Sequence, residues 1–385
     1  MLQTNVGKVQ LSSPLILASG HITETPDFFL KTKGCAGMVT RSLKEFPPPG
    51  RAKTPSPRYV VFDDGHSMLN CEWGNSVPWT EWYDHGVEEV KNAGGAIIVS
   101  LSGREIESCC RLVRKFDKIG VDAYELNVSC AHSGAIHGNL NINFEHMEKL
   151  LSRVKKETET PIWLKLSYSS FLVEMAERAE EFGADAIVCT NSIGPGMFID
   201  INSATPKLGI KGGAGGVTGR AIFPIALNCV YQLAQAVKIP IVGSGGITSA
   251  EDVIQMMMAG ASAVELYTEP AMNGPEVFKN IANDLEKFLN FWKKFYPSCK
   301  SLVGVALDKR KDHCFVKEVP EIIGDLCRGC EKCVRACNFG AISMMSEGSP
   351  AFTVRRYAAI DNDKCVGCNA CVAVCKSLAC GRRIK

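Results

Sequence analysis

From residue 15 to about residue 290, short apolar runs alternate with amphipathic stretches. The runs Leu15–Ser19, Gly37–Ser42, Ala96–Leu101, Ala123–Ser129, Pro161–Leu166, Ala186–Thr190, Pro240–Gly243 and Ala263–Tyr267 are nearly continuous in apolar residues. That is the signature of parallel strands buried on both faces. The stretches between them, such as Asn143–Thr158 and Ser169–Phe182, place apolar residues at helical spacing. Eight strands with intervening helices over about 250 residues predict an α/β fold, a (β/α)8 TIM barrel. A doubly wound open sheet has the same alternation, and strand count alone does not separate the two. The segment Leu2–Leu15, with Gly7 between two strand-like pieces, predicts a hairpin ahead of the barrel. The connections Leu43–Trp79 and Ile193–Thr218 exceed the usual length. Both leave the C-terminal ends of strands, where barrel enzymes build their sites, and the second contains the glycine run Lys211-Gly-Gly-Ala-Gly-Gly.

The alternation stops near residue 290. The expected organisation is a barrel domain over 1–290, a connector over 291–320 and a small domain over 321–385. Charge is balanced at +2, which gives no nucleic-acid surface. No run of about 18 apolar residues suggests a membrane span, and the N-terminus lacks the pattern of a signal peptide; a cytoplasmic protein is expected. Eighteen cysteines are many for that compartment, and close spacings there point to metal binding, not disulfides. Cys327-x2-Cys330-x2-Cys333-x3-Cys337 is followed by Cys365-x2-Cys368-x2-Cys371-x3-Cys375. Three thiolates at this spacing wrap a loop around three corners of a cubane. The fourth is expected to start a helix and reach the other cluster. Cys327, Cys330, Cys333 and Cys375 are thereby assigned to one 4Fe–4S cluster, and Cys365, Cys368, Cys371 and Cys337 to a second. A pair of zinc sites is the alternative, but four-ligand zinc sites give no reason for the third and fourth positions to repeat. The pattern resembles bacterial-type two-cluster ferredoxins, although Asn338 and Lys376 stand where proline usually follows the fourth cysteine. Cys380 is an extra cysteine, not expected to be a ligand.

Clusters of this kind move single electrons, so a substrate that exchanges a hydride needs a converter, usually a flavin. Short polar and glycine motifs stand at the strand ends: Ala18-Ser19-Gly20, Asn127-Val-Ser-Cys130, Lys165, Asn191-Ser192-Ile-Gly, Gly215-Gly216-Val-Thr-Gly219 and Gly243-Ser-Gly245-Gly246. Glycine loops at strand ends expose backbone N–H groups that can cradle a phosphate. Neither glycine run satisfies G-x-G-x-x-G, so no nicotinamide site is expected in this chain.

In this order the motifs resemble the dihydroorotate dehydrogenase family of FMN barrels. Within it they are closer to the pyrimidine-reducing part of dihydropyrimidine dehydrogenase, which couples such a barrel to a C-terminal two-cluster ferredoxin domain. The resemblance implies FMN held by Ser19, Gly20, Thr40, Arg41, Asn127, Lys165, Gly216, Gly245, Gly246, Tyr267 and Thr268. Arg41 replaces the family's usual lysine. The resemblance also implies Cys130 as the acid/base residue, with Asn70, Glu72, Asn127, His132, Asn191 and Ser192 holding the substrate. Asn70 and Glu72 come from the segment Leu69-Asn70-Cys71-Glu72. His132, where dihydroorotate dehydrogenases have asparagine, favours reduction of uracil or thymine over oxidation of dihydroorotate. A related flavin enzyme with another unsaturated substrate, and an electron-transfer subunit without a substrate of its own, are further alternatives. Electrons would come from ferredoxin or from an NAD(P)H-oxidising flavoprotein subunit, in a homodimer or hetero-oligomer.

Overall fold

In the computed structural model the described residues are 1–45, 56–71, 77–129, 143–307, 317–347, 355–377 and 379–381. The chain divides into two compact units, Met1–Arg310 and Lys311–Lys385.

The first unit opens with an antiparallel hairpin, β1 (Thr4–Val6) and β2 (Val9–Leu11). Eight parallel strands follow: β3 (Leu15–Leu17), β4 (Gly37–Val39), β7 (Ala96–Ser102), β8 (Ala123–Asn127), β9 (Ile162–Leu166), β10 (Ala186–Cys189), β15 (Ile241–Ser244) and β16 (Ala261–Leu266). They pair in that order, and β16 returns to β3, with Glu265 beside Ile16, to close the barrel. Closure decides against the open sheet. All eight expected strands are present, each within a few residues of its expected bounds.

The apolar runs form two cores. One interior cluster fills the barrel with Ile16, Val39, Ile98, Ala123, Trp163, Val188, Val242 and Ala263, and the hairpin adds Val6, Val9 and Leu11 to it. The hairpin thus closes the N-terminal end of the barrel. The larger cluster lies between the strands and the surrounding helices. Helix Phe144–Val154 buries Met147, Leu150, Leu151 and Val154, one stripe at helical spacing. It starts where Asn143 accepts a hydrogen bond from the His146 backbone N–H at 3.0 Å, a side-chain N-cap. Helix Leu172–Glu181 buries Leu172, Met175, Ala176 and Ala179 in the same way.

The two long connections are not independent loops. β5 (Tyr59–Phe62) and β6 (Ser67–Asn70) lie in the first, and β11 (Ile193–Gly196) and β14 (Gly215–Gly219) in the second. They form one antiparallel sheet in the order β11-β14-β6-β5, over a small core of Leu69, Cys71 and Leu208. Between β11 and β14, β12 (Ile199–Asp200) and β13 (Thr205–Pro206) make a short hairpin. From the region read as connector, Cys299 and Leu302 join the buried core of the first unit, and Gly304 and Ala306 donate backbone hydrogen bonds to Met257 and Met258.

The second unit is built from small antiparallel pairs. β17 (Glu321–Ile322) pairs with β20 (Cys380–Gly381), and β18 (Ile342–Glu347) with β19 (Arg355–Ile360). Short helices span Lys332–Ala336 and Ala370–Ala373. The expectation that the fourth cysteine of each motif starts a helix is corrected here. Cys337 ends the first of these helices, and Cys375 comes after the second. The third cysteine, Cys333 or Cys371, is the helical one. Among the described residues no helix is long and apolar enough to cross a membrane.

Leu164, fully buried at the centre of β9, tests the outer core. Leu164→Ala should destabilise the first unit by about 2–5 kcal/mol. All five tryptophans lie in that unit, so urea unfolding followed by tryptophan fluorescence reports on it directly.

Candidate active site

Parallel closure brings the C-terminal ends of all eight strands to one rim, and a pocket among the described residues opens there. It is lined by Ala18 and Ser19 after β3, Lys165 of β9, and Thr190, Asn191 and Ser192 after β10. Thr218 and Gly219 of β14, Ile222, Ser244 at the end of β15, Gly245 through Ile247 after it, and Glu265 through Glu269 at and beyond the end of β16 complete it.

The base of the pocket is charged and buried. Lys165 Nζ donates to Glu265 Oε2 at 2.7 Å and to Glu125 Oε2 at 3.1 Å. Glu125 is fully buried, Glu265 is 1% exposed and Lys165 4%. Burial alone would pull the Lys165 ammonium down, but the charges of Glu125 and Glu265 outweigh it and hold the group above its ordinary range. At Glu265 burial is not outweighed. Burial raises its carboxyl to about 7; the Lys165 charge opposes the shift and Glu125 adds to it.

The glycine turn after β15 forms a second wall. Gly246 has φ +76°, and a Cβ there would stand 2.7 Å from the Phe223 backbone nitrogen and 2.8 Å from the Gly219 carbonyl oxygen. Only glycine lets the backbone approach this closely. Across the pocket, a Cβ on Gly20 would stand 2.0 Å from the Tyr267 ring; Gly20 is the seat of that ring, whose hydroxyl bonds His21 Nδ1. His66 Nδ1 lies 2.9 Å from Glu269 Oε2, and Asn273 Nδ2 donates to Glu269 Oε1 at 2.9 Å.

An amide and hydroxyl cluster stands at the β8 end. Asn191 Nδ2 donates to Asn127 Oδ1 at 3.3 Å and to Ser129 Oγ at 3.1 Å. Asn127 Nδ2 donates to Ser42 Oγ at 3.2 Å. These groups can present donors and acceptors to a cyclic amide edge.

Of the expected flavin contacts, Ser19, Lys165, Gly245, Gly246, Tyr267 and Thr268 line this pocket. Asn127 reaches it through Asn191. Gly216 does not line it: it pairs with Asn70 across β14 and β6, and accepts a hydrogen bond from Asn70 Nδ2 at 3.2 Å. Gly219 is the β14 glycine that faces the pocket. The register, which residue number alone does not reveal, makes the difference. Thr40 and Arg41 are buried outside the pocket lining. Thr40 Oγ1 accepts from the Ser100 N–H at 2.9 Å, and Arg41 is ion-paired with Glu24. Asn191 and Ser192 line the pocket among the expected substrate contacts. Cys130, His132 and Glu72 lie outside the described residues. The sequence reading missed Glu125, Glu265 and Glu269. The first two had a signal: each is a lone carboxylate inside an otherwise apolar strand run.

In the second unit the cysteines gather as two quartets. One cavity is lined by Cys365, Cys368, Cys371 and Cys337, the other by Cys327, Cys330, Cys333 and Cys375, with Cys380 beside them. Each takes three sulfurs from one motif and one from the other. Backbone N–H groups already point at the sulfurs: Ala341 to Cys337 at 3.3 Å, Gly367 to Cys365 at 3.4 Å and Cys380 to Cys375 at 3.3 Å. Among the described residues no group of three or more His, Cys, Asp or Glu is arranged to hold a single metal ion. Four thiols around a cavity suit a cubane, whose irons carry the corners apart.

Residues 1–289 match the family model described as dihydroorotate dehydrogenase. The chain belongs to the dihydroorotate dehydrogenase family. It is a flavin-dependent oxidoreductase of that type, acting on CH–CH bonds. Residues 326–379 match the 4Fe–4S dicluster domain. Among similar curated proteins are three archaeal "Dihydroorotate dehydrogenase B (NAD(+)), catalytic subunit" chains. Those of Pyrococcus abyssi and Thermoplasma acidophilum are 32% and 33% identical, and that of Methanothermobacter thermautotrophicus is 34% identical. Each match covers 80% of this chain and 99% of the relative, so about a fifth of this chain has no counterpart in them. These names point to dihydroorotate, whereas the sequence motifs had suggested dihydropyrimidine dehydrogenase.

Two variants probe the geometry. Gly246→Ala should destabilise the first unit by roughly 1–2 kcal/mol before any clash, the cost of an L side chain at positive φ; urea unfolding followed by tryptophan fluorescence measures it. Cys375→Ser should lose about half the iron of the holoprotein, whereas Cys380→Ser should keep all of it; iron assay and cluster absorption distinguish them.

Proposed function

We propose that this chain is the substrate-converting, electron-relaying component of an FMN and iron–sulfur enzyme that interconverts dihydroorotate and orotate, or a close cyclic amide. The carrying observation is one pocket that joins the Gly245-Gly246 turn, the Lys165 charge and the Asn191 amide at the barrel rim, in a chain whose first 289 residues belong to this family.

The residues fit a flavin mononucleotide. The turn at Gly245 and Gly246, with Thr268, offers N–H groups and close backbone approach for the phosphate. Lys165 would supply positive charge to the ring. When bound, FMN supplies hydride exchange with the substrate and the passage from electron pairs to single electrons. Asn191, Asn127 and Ser192 would hold the substrate's amide edge, with Asn70 and Glu72 as further contacts. Cys130 Sγ would move the proton on the carbon next to the hydride carbon, and His132 would be a further substrate contact. Cys327, Cys330, Cys333 and Cys375 would ligate one 4Fe–4S cluster, and Cys365, Cys368, Cys371 and Cys337 a second.

With no dinucleotide fingerprint, electrons must pass to or from a partner, either ferredoxin or an NAD(P)H-oxidising flavoprotein. The phrase "NAD(+), catalytic subunit" in the relatives' names supports a separate nicotinamide-handling subunit. A homodimer or hetero-oligomer in the cytoplasm belongs to the same reading. The second reading, reduction of uracil or thymine, is favoured by His132 and by the segment Leu69-Asn70-Cys71-Glu72.

The test compares dihydroorotate and uracil on anaerobically purified protein with an artificial electron carrier. Dihydroorotate should bleach the bound flavin and sustain turnover. Cys130→Ser should retain flavin and iron and lose about 10²–10⁴ in rate, the usual worth of a positioned acid or base. If dihydroorotate fails to bleach the oxidised flavin and uracil fails to reoxidise the reduced flavin, the chain is a pure electron-transfer subunit; reoxidation by uracil alone gives the second reading.

A further inference from the structure

The charge count beneath the pocket does not close. Glu125 and Glu265 present two carboxylates to one ammonium, Lys165, in an almost wholly buried site. Fully ionised, the three groups would carry one uncompensated negative charge, which such burial strongly disfavours. The strands that flank β16 place Ser244 and Ile16 beside Glu265 and bring no charge. The other carboxylate lining the pocket, Glu269, is engaged by His66 and Asn273.

The two carboxyls face each other, and one of their four oxygens is left without a hydrogen-bond partner. Glu125 uses Oε2 for Lys165 and accepts the Ser100 hydroxyl at 3.0 Å on Oε1. Glu265 uses Oε2 for Lys165, while its Oε1 is buried with no hydrogen-bond partner. Glu265 also lines the pocket. A buried carboxyl oxygen without a protein partner is suited to meet a bound group.

We propose that Glu265 is a redox-linked proton site of the flavin pocket: Oε1 holds a proton and takes it up or releases it with the charge of the ring bound there. This rests on the flavin reading. With Glu265 neutral, Lys165 and Glu125 cancel, and the pocket accepts a negatively charged reduced ring. With Glu265 ionised, the base already carries one negative charge and opposes reduction. The balance is explicit. Two electrons and one proton turn a neutral oxidised ring into a reduced anion. Where Glu265 was ionised beforehand, a second proton enters from solvent and bonds to Oε1, leaving the total charge unchanged.

Glu265→Gln keeps the shape and a donor but cannot titrate. In the holoprotein, the flavin midpoint potential between about pH 5.5 and 9 should show one proton taken up per electron pair at the acid end and two at the alkaline end. The Gln variant should show one throughout, and the same pH slope in both proteins overturns the linkage. The proton itself is read without flavin, on the full chain freed of the cofactor. A carboxyl raised by folding stabilises the fold fully below its unfolded range near pH 4.5, and that contribution is lost as pH rises through about 7. Relative to the wild type, the unfolding equilibrium constant of Glu265→Gln should therefore fall at least about tenfold between pH 5 and pH 8, by urea titration of tryptophan fluorescence. A pH-independent difference overturns the proton on Glu265. A pH-dependent one in a protein that binds no flavin overturns the redox linkage and the flavin reading together, while leaving the proton site.

Discussion

Everything at the catalytic end depends on the pairing of β16 with β3. Once that edge is joined, eight parallel strands point the same way around a ring, and their C-terminal ends share one rim. Residues far apart in sequence, Ser19, Lys165, Asn191, Gly246 and Thr268, then line a single pocket. Closure also sorts the interior by polarity. The N-terminal half is apolar and plugged by the hairpin. The polar layer of Ser100, Glu125, Lys165 and Glu265 stands at the other end, where a bound group can complete it.

The lysine in that layer is held on two sides, which changes its character. A lone buried lysine would lose its proton or seek solvent. Flanked by Glu125 and Glu265 it remains an ammonium in a fixed place, and the uncertainty of charge moves to the carboxylates. The site thus has a permanent cation and a variable anion, an arrangement suited to a cofactor whose charge changes during turnover.

The second unit solves a different problem. Its buried core is small, centred on Ile342, Ala358, Cys371 and Cys380. The cysteine quartets form the other organising feature, each drawing a sulfur from the opposite motif. Cluster ligation would therefore tie the two halves of the unit together, as metal binding does in other small domains with little core of their own.

Local chemistry was legible along the chain. Continuous apolar runs mark strands buried on both faces. Helical spacing marks Phe144–Val154 and Leu172–Glu181, and cysteines three apart mark a ligand loop. Lys165 stood out as a charge at the end of an apolar strand run. All these signals act over a few residues, so the sequence by itself determined the strands, the helices, the cysteine motifs and the strand-end positions of the candidate site. Tertiary structure decided what depends on register and on distant neighbours. It closed the barrel and joined two long connections into one sheet, where Asn70 meets Gly216 across 146 residues. It put Gly219, not Gly216, at the pocket, gave Arg41 to Glu24, and placed both carboxylates on one lysine. Such pairings follow from which surfaces are left to bury once the local elements exist, and the linear order of residues does not encode that choice in any short window.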